Sequence, residues 1–469
     1  MKNLLFTLTL LFAFTFAHAQ SDIKARIEFE EAEKAFVAEE YEMALKHLNE
    51  TEKLIGKWTP TVAYLKIEAL HAITDMGNFG DPTMQALYEE VTKYMTYMNK
   101  LNSNNIPTEK YKAVYAIEKV LKAYKLDERQ SPEFIKAKKE HDNKNYDTAL
   151  SLYDKLVTKN NSWAMRNIGL IYEEKKDFDK AKQWYLKAVE NGNPSAALGL
   201  STVDRENRKA WREKSAIMGH PNAVAIQGWE ADSEDENYQK ARDYYEKAAD
   251  LGSAYANVRL GYHYKKGLGV EKDYKKAFEY YQKAAKKGNS DGLVGIGLLY
   301  HNGGNGITQN HRIAMEWYLK AVEKKNTDAM YLIGRIYQNG QGEYIKDYKK
   351  AEEWYQKRID NGDKVGYLDL GDLYSLTVNS NPQKALENYE KAADSYLRGM
   401  LETANFYYTG KGKTTKDYAK AAKYYEEYYE TKKKNEAYLD NLIDIYNRGG
   451  HGIEKDKEKA KYWKNIRRN

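Results

Sequence analysis

The feature that most constrains the fold of this chain is a four-residue phrase that returns from Asn145 to the C-terminus. It consists of an aromatic or polar residue, two variable positions and then Ala. From Ala241 onward the alanines are 36, 37, 37, 34, 36 and 39 residues apart. A period in this range is typical of stacked helix pairs, in which each pair buries its apolar face against its neighbours. The phrase occurs at Tyr146–Ala149, Phe178–Ala181, Tyr238–Ala241, Tyr274–Ala277, His311–Ala314, Tyr348–Ala351, Pro382–Ala385, Tyr418–Ala421 and Lys457–Ala460.

Each repeat is predicted to contain two helices joined by a tight turn. In the repeat from Ser253 to Gly288, small and apolar residues recur at helical spacing over 254–264, which indicates the first helix. Gly267 ends that helix, because Gly adopts a left-handed conformation without steric cost. Asp273 is a suitable N-cap for the second helix, whose apolar face carries Ala277.

The caps are the most regular detail of the pattern. An Asp or Asn stands four residues before the repeat alanine throughout the series, and at Asn381 it is followed by Pro382, a favoured first helical residue. The exception is the repeat at Ala210, where Glu206 takes the cap position, so this repeat is predicted to be degenerate or shortened. The predicted caps are Asn145, Asp177, Asn237, Asp273, Asn310, Asp347, Asn381, Asp417 and Asp456.

Small residues in the first helices predict close packing between helices. A Gly stands three residues before a Tyr in five repeats, and we expect that first-helix Tyr to fill the space between neighbouring repeats. The tyrosines are therefore interpreted as core residues rather than as a ligand cage. The pairs are Gly169 with Tyr172, Gly261 with Tyr264, Gly297 with Tyr300, Gly334 with Tyr337, and Gly371 with Tyr374.

These phrases resemble the Sel1-like repeat, a relative of the tetratricopeptide repeat. The resemblance covers roughly residues 160–469 in eight or nine units, and the clearest unit reads LGYHYKKGLGVEKDYKKAFEYYQKAA at 260–285. It implies an all-α fold, a right-handed superhelical solenoid of stacked helix pairs that holds other proteins on its concave face, without catalysis. The departures are the Ala210 unit, the missing Gly-x-Gly turn after Tyr374, and Ala404 where the packing Gly is expected.

The chain is predicted to have three parts. Residues 1–19 resemble an export signal, with Lys2, an apolar run and then Ala17-His18-Ala19 as a cleavage site, so cleavage leaves Gln20 first. An uncleaved anchor is the alternative. Residues 20–140 are predicted to form a helical, tetratricopeptide-like region, with helices starting after Thr59, Asp81 and Ser131. Residues 141–469 form the repeat solenoid. The N-terminal region caps or extends this solenoid, or forms a separate domain.

The composition of the chain restricts the classes of partner that we expect. The formal charge is +6, and Lys alternates with Glu instead of clustering, so a nucleic-acid partner is not expected. No second apolar run is long enough to span a membrane, so no membrane span is expected in the mature chain. The chain has no Cys, so no disulfide or Cys-linked lipid can form. The export signal favours a periplasmic or secreted location.

No motif indicates an enzyme, a cofactor or a metal. The stretch from Gly410 to Thr414 resembles a phosphate loop, but the required earlier Gly is replaced by Tyr407 and the flanks are helical. No histidine pair has the spacing of a metal site, and no acidic loop has the pattern of a calcium site. We therefore expect no catalytic, cofactor-binding or metal-binding residues.

The candidate binding residues are first-helix positions outside the packing pattern. They lie nine, five and two residues before each repeat Tyr and change from aromatic and basic to acidic along the chain, which predicts a partner with complementary charges. The preferred function is an exported scaffold that binds a protein or peptide in a cell-envelope assembly. The alternative is a glycan- or cell-wall-binding accessory protein, favoured if Trp163, Tyr255 and Tyr262 are exposed along one groove. The partner-binding residues are predicted to be Trp163, Asn167, Tyr255, Arg259, Tyr262, Arg335, Asp369, Asp372, Glu402 and Asn405.

Overall fold

A computed structural model describes residues 19–78, 81–101, 107–234, 236–304, 306–376, 380–432 and 437–468. The predicted export signal lies outside these residues, apart from Ala19. The described residues form 25 α-helices, and their only β-type pairings are two isolated bridges, Gly304 with Ile307 and Gly450 with Ile453. The predicted all-α solenoid of helix pairs is confirmed.

The chain divides into two compact units, Met1–Gly292 and Leu293–Asn469. In the first unit, helices pack mainly on their neighbours along the chain. Its helices are α1 (Ala19–Val37), α2 (Tyr41–Ile55), α3 (Pro60–Ile73), α4 (Pro82–Met98), α5 (Thr108–Ala123), α6 (Pro132–Asp142), α7 (Tyr146–Val157), α8 (Ser162–Glu174), α9 (Phe178–Glu190), α10 (Pro194–Val203), α11 (Arg208–Ile217), α12 (Pro221–Ser233), α13 (Tyr238–Asp250), α14 (Ala254–Lys266) and α15 (Tyr274–Lys286).

The boundary between the units falls near the start of α16 (Ser290–Asn302). The second unit repeats the same helix pair, and its core runs from Ala351 to Trp463. Its remaining helices are α17 (His311–Glu323), α18 (Thr327–Asn339), α19 (Tyr348–Asp360), α20 (Gly366–Ser375), α21 (Pro382–Ala393), α22 (Leu397–Thr409), α23 (Tyr418–Lys432), α24 (Ala437–Arg448) and α25 (Lys457–Arg468).

The predicted caps position the second helices. In eight of the nine repeats the Asp or Asn side chain accepts a hydrogen bond from the backbone N–H three residues on, as Asp273 does from Lys276 at 3.0 Å. Asn145 is the exception, because its amide donates to Glu140 at 2.8 Å. The repeat at Ala210 is shortened as predicted: α10 and α11 have 10 residues each, whereas most repeat helices have 13.

The packing glycines make room for a different tyrosine from the one predicted. A methyl group on Gly261 would come within 3.0 Å of the ring of Tyr281, which lies on the second helix of the repeat, and the other four packing glycines face Tyr185, Tyr318, Tyr355 and Tyr389 in the same way. These second-helix rings are buried at 0–3% exposure, whereas four of the five first-helix tyrosines are half-buried and the fifth, Tyr374, is 7% exposed. A first-helix ring such as Tyr264 is only half-buried and lies under a lysine ammonium, with Lys276 Nζ 5.3 Å from its centroid. The glycine prediction is thus confirmed, and the assignment of its tyrosine partner was wrong.

The N-terminal helices of the first unit contact the turns that follow later second helices. Lys125 Nζ donates to the Asn191 carbonyl at 2.6 Å, and the Tyr124 hydroxyl donates to the Gly219 carbonyl at 3.0 Å. Further along, the Asp75 carboxylate accepts from the Ala254 N–H at 3.1 Å, and Lys287 Nζ donates to the Thr74 carbonyl at 2.8 Å. The N-terminal region therefore runs beside four successive turns, and the predicted helix starts at Pro60, Pro82 and Pro132 are confirmed.

Candidate functional site

All ten predicted partner-binding residues lie on first helices, namely α8, α14, α18, α20 and α22. Their exposure differs from the prediction. Arg335 is exposed, Trp163 and Asn167 are buried at 2% and 3% exposure, and the other seven are half-buried. Several of these positions make contacts within the chain.

Buried tyrosine hydroxyls explain much of this difference. A buried Tyr needs a hydrogen-bond partner for its hydroxyl. Four second-helix tyrosines have that partner on the neighbouring first helices, at positions predicted to face a ligand. Asn167 Nδ2 donates to Tyr153 at 3.0 Å, Arg259 Nε to Tyr245 at 3.2 Å, the Tyr389 hydroxyl to Asp372 at 2.8 Å and the Tyr425 hydroxyl to Asn405 at 2.6 Å.

The aromatic and basic part of the predicted surface forms one cluster on α12 and α14 of the first unit. The Arg259 guanidinium forms an ion pair with Asp232 and lies 5.3 Å from the ring centroid of Tyr262. His263 Nε2 lies 3.2 Å from the same Asp232 carboxylate, and burial lowers the pKa of His263. Burial also raises the pKa of Tyr255, which is half-buried beside this cluster. Arg259 therefore has an intramolecular counter-ion.

The acidic part of the predicted surface, in the second unit, is also paired. Asp369 accepts from Arg358 Nη1 at 2.8 Å, and Asp372 accepts from Arg398 Nη2 at 2.7 Å. Burial raises the pKa of Asp369 to about 6 even beside this guanidinium. Arg358 also contacts Asp328 at 3.8 Å and Asp363 at 2.8 Å, so three carboxylates share one cation. The charge gradient remains a prediction, but three of the charges assigned to it have partners within the chain.

Trp163 and Asn167 line a cavity in the first unit with a volume of about 770 Å³. Trp163 is fixed by its Nε1–H, which donates to the Tyr124 carbonyl at 2.8 Å, and its ring lies 4.9 Å from the guanidinium carbon of Arg129. The N-terminal region supplies one wall, and the first helices α8, α10 and α12 supply another. The lining residues are Gly77, Asn78, Arg129, Phe134, Lys138, His141, Asp142, Lys144, Tyr146, Trp163, Arg166, Asn167, Leu170, Glu174, Ser195, Leu198, His220 and Asn222.

Two arginines stand out in this cavity. Arg129 is half-buried, and its guanidinium has neither an ion pair nor a hydrogen bond to any residue that the structure describes. Arg166 donates only to the neutral Asn167 amide oxygen, at 3.0 Å, and its Nε is buried without a partner among the same residues. Burial, and then the nearby Arg166 cation, lower the pKa of Arg129 to about 10. Burial, and then Arg166, also lower the pKa of His220 to about 4.

Neither Arg129 nor Arg166 was predicted as a binding residue, although Arg166 carried a detectable signal. Arg166 stands six residues before Tyr172. The equivalent place holds an apolar or aromatic residue in five later repeats, namely Val258, Val294, Tyr331, Leu368 and Leu401, and a charged residue, Asp440, in the last. A charge in a largely apolar column often marks a functional position. Arg129 has no such signal, because it lies in a short 3₁₀ turn (Leu126–Arg129) outside the repeats.

Stacked helix pairs whose first helices carry polar and aromatic side chains define a helical-repeat scaffold, a class that is typically non-catalytic. The Sel1 repeat family model matches residues 231–253, 254–289, 290–326, 327–363, 365–396, 397–427 and 444–463, and a tetratricopeptide repeat model matches residues 138–196. The chain therefore contains Sel1 repeats preceded by a tetratricopeptide repeat, and the Sel1 matches begin later than the expected residue 160. Scaffolds of this kind generally bind proteins.

Among solved structures, a Sel1 repeat protein from Oxalobacter formigenes is 28% identical with a TM-score of 0.39, covering 52% of this chain and 98% of its own. A protective antigen present in uropathogenic Escherichia coli strains, displaying an SLR fold, is 21% identical with a TM-score of 0.38, covering 96% and 86%. An immunity protein from Pseudomonas aeruginosa is 18% identical with a TM-score of 0.29, covering 46% and 74%. No curated protein matches the chain.

Among the residues that the structure describes, no group of three or more His, Cys, Asp or Glu side chains could hold a metal ion. None of the helices described is long and apolar enough to cross a bilayer.

Proposed function

We propose that this protein is an exported scaffold that binds a protein or peptide partner along the first helices of its repeats, in a bacterial cell-envelope assembly. The observation that carries the proposal is the run of Sel1 repeats, because stacked helix pairs present a long surface that can hold an extended partner. Arg335 supports it, since it is the exposed member of the predicted set and Arg is enriched in interface hot spots.

The export step is proposed from the first 19 residues and has its own test. The protein recovered from cells that produce the full chain is expected to begin at Gln20 and to fractionate with the periplasm or the medium. An N-terminal sequence that starts at Met1, with the protein retained in the cytoplasm, would contradict export without affecting partner binding.

Partner binding is tested by cross-linking and pull-down from envelope extracts with wild type, Arg335→Glu and Arg312→Glu. Arg312 is a matched control, because it is also exposed but lies on the second helix α17. We expect wild type and Arg312→Glu to enrich one protein that Arg335→Glu fails to enrich. Binding of this purified partner is expected to weaken as salt rises. Arg259 is left unchanged, since its reversal would place two carboxylates together at Asp232.

The glycan alternative is judged by the aromatic residues named for it. Trp163 is buried, and Tyr255 and Tyr262 are half-buried beside Arg259, so they do not offer the exposed row of rings that sugar stacking needs. This supports the protein-binding proposal. Retention on cell-wall material with no enriched protein would favour the glycan alternative, and sustained hydrolysis of cell-wall fragments would indicate an enzyme.

A further inference from the structure

The cavity of the first unit contains more positive charge than its own carboxylates neutralise. Lys138 Nζ contacts both Asp142 oxygens, at 2.5 and 2.7 Å, and His141 Nε2 lies 3.3 Å from Glu174, so both acidic lining residues are engaged. Arg129 and Arg166 have no carboxylate partner among the described residues, and Lys144 adds an exposed cation at the cavity wall.

Two cations held close together without a counter-ion are unfavourable in a partly buried site, because low dielectric strengthens their repulsion. Burial is the main cause of the lowered pKa of Arg129, and repulsion from Arg166 is the second cause. An oxyanion placed between the two guanidiniums would relieve it. Each guanidinium can donate two parallel hydrogen bonds to a carboxylate, so the side chains suit that geometry.

The cavity is larger than a single ion requires. Its volume of about 770 Å³ is in the range of sites that hold an extended organic ligand. Trp163, Phe134, Leu170 and Leu198 add apolar surface to the lining, and Asn222 and Ser195 add polar groups. The site therefore suits a carboxylate that is attached to a chain, with neighbouring groups in contact with the apolar walls.

We propose that this cavity binds carboxylate side chains of an acidic segment of the partner protein, with Arg129 and Arg166 as the residues that hold them. The inference rests on the proposed function, since it names the chemistry of the partner and the place where it binds. It differs from the predicted charge gradient, because it assigns recognition to two residues that the gradient did not include.

The test is isothermal titration calorimetry on the purified protein with four probes. Two are acetylated and amidated octapeptides, one of alternating Glu and Ala and one of alternating Gln and Ala. The others are inorganic phosphate and an oligomer of glucuronate. We expect the Glu peptide to bind at least tenfold more tightly than the Gln peptide, and its binding to weaken as salt rises.

Variants assign the binding to the cavity. Arg166→Gln and Arg129→Gln are each expected to lower the affinity for the Glu peptide at least tenfold, whereas Lys136→Gln is expected to leave this affinity unchanged. Lys136 is a matched control, since it is exposed on α6 and does not line the cavity. Arg129→Lys keeps the positive charge but removes the planar guanidinium that can donate two parallel hydrogen bonds. This variant is expected to bind the Glu peptide with an affinity between those of wild type and Arg129→Gln. Arg166→Gln should melt at or above the wild-type temperature, because it removes the repulsion.

Several outcomes would overturn the proposal. These are equal binding of the two peptides, Glu-peptide binding that neither arginine variant weakens, or a lower melting temperature for Arg166→Gln. Binding of phosphate or glucuronate without the Glu peptide would overturn the assignment to an acidic protein segment. A partner captured equally by wild type and Arg166→Gln would reject the cavity and leave the scaffold proposal intact. Glu-peptide binding without any captured partner would support the site and count against the envelope scaffold.

Discussion

The buried tyrosines of the second helices place polar hydroxyls inside the repeats. First-helix residues satisfy several of these hydroxyls, whereas the Tyr318 hydroxyl is buried without a hydrogen-bond partner among the described residues. Tyr185 donates to Glu173 and Tyr355 to Gln338, each at 2.6 Å, in the manner of the pairs on Asn405 and Asp372. A ring of this size contributes a large apolar area, and an unpaired hydroxyl would offset part of that gain. First-helix residues that were predicted to contact a partner thus form hydrogen bonds with buried tyrosines.

His220 should make the first unit sensitive to acid. Burial, and then Arg166, lower its folded-state pKa to about 4 from an ordinary value near 6.5, so the unfolded chain takes up the proton first as pH falls. Above pH 6.5 His220 is neutral in both states, whereas between pH 6.5 and 4 its protonation in the unfolded chain lowers the free energy of unfolding by up to about 3 kcal/mol. His220→Gln is expected to flatten the fall in unfolding free energy over that window, measured by denaturant titration.

The matched control is His451→Gln, since His451 is exposed. It should leave the acid dependence as in wild type. Identical curves for His220→Gln and wild type between pH 6.5 and 4 would show that His220 is not kept neutral by burial.

The predicted binding residues show which features of the site can be predicted from the sequence. Periodicity placed Asn167, Arg259 and Asp372 on first helices, because helical spacing is local. It did not reveal that their polar groups bind tyrosine hydroxyls, since that contact depends on the distance between two helices. The cavity could not be predicted from the sequence either, because Arg129 and Arg166 come together only when the N-terminal region packs on the repeats.

At the scale of the helix, the caps are the part of the fold that the sequence predicts best. A cap acts over three residues, so Asp or Asn before an apolar run carries the information by itself. Asn145 shows the limit of the rule, because a nearby carboxylate on Glu140 competes for its side chain. In the shortened repeat around Ala210, the N-cap of α11 is Asn207, and its side chain makes no capping hydrogen bond.

This difference between two caps can be measured. Asp273→Ala removes the bond to the Lys276 N–H and is expected to cost about 1 kcal/mol of unfolding free energy. Asn145→Ala removes no capping bond and is expected to cost clearly less. Both residues lie in the first unit, so urea denaturation monitored by circular dichroism compares them directly. Equal losses would mean that the capping bond is not the source of the stabilisation.

At the scale of the whole molecule, the sequence predicts a repeat solenoid but not the path of the N-terminal region. Repeat proteins are normally built from contacts between neighbours, so their architecture can be predicted from one repeat. The bonds from Asp75, Tyr124 and Lys125 to later turns are long-range and follow no period. The proposed boundary near residue 140 remains a prediction, and the region before it contacts the repeats that follow it in the same unit.

Tyr124 tests this arrangement. Tyr124→Phe leaves the half-buried Gly219 carbonyl without this donor, which is expected to cost about 1 kcal/mol. Hydrogen exchange measured by mass spectrometry should show faster exchange in α5 and in the turn after α11. Tyr115→Phe is the control, because Tyr115 is half exposed at 50% and lies on the same helix. Unchanged exchange in Tyr124→Phe would mean that the N-terminal region is held by other contacts.

The contacts of the N-terminal region also affect the order in which parts of the first unit can fold during synthesis. Tyr124 meets a turn 95 residues later in the chain, and Thr74 meets Lys287 after 213 residues. Long-range contacts form late, because the intervening chain must first be made and brought back. The earliest helices to leave the ribosome are thus the last in the first unit to find their final partners. For the export proposed here, that delay keeps the leading part of the chain open during the interval in which it would be threaded across a membrane.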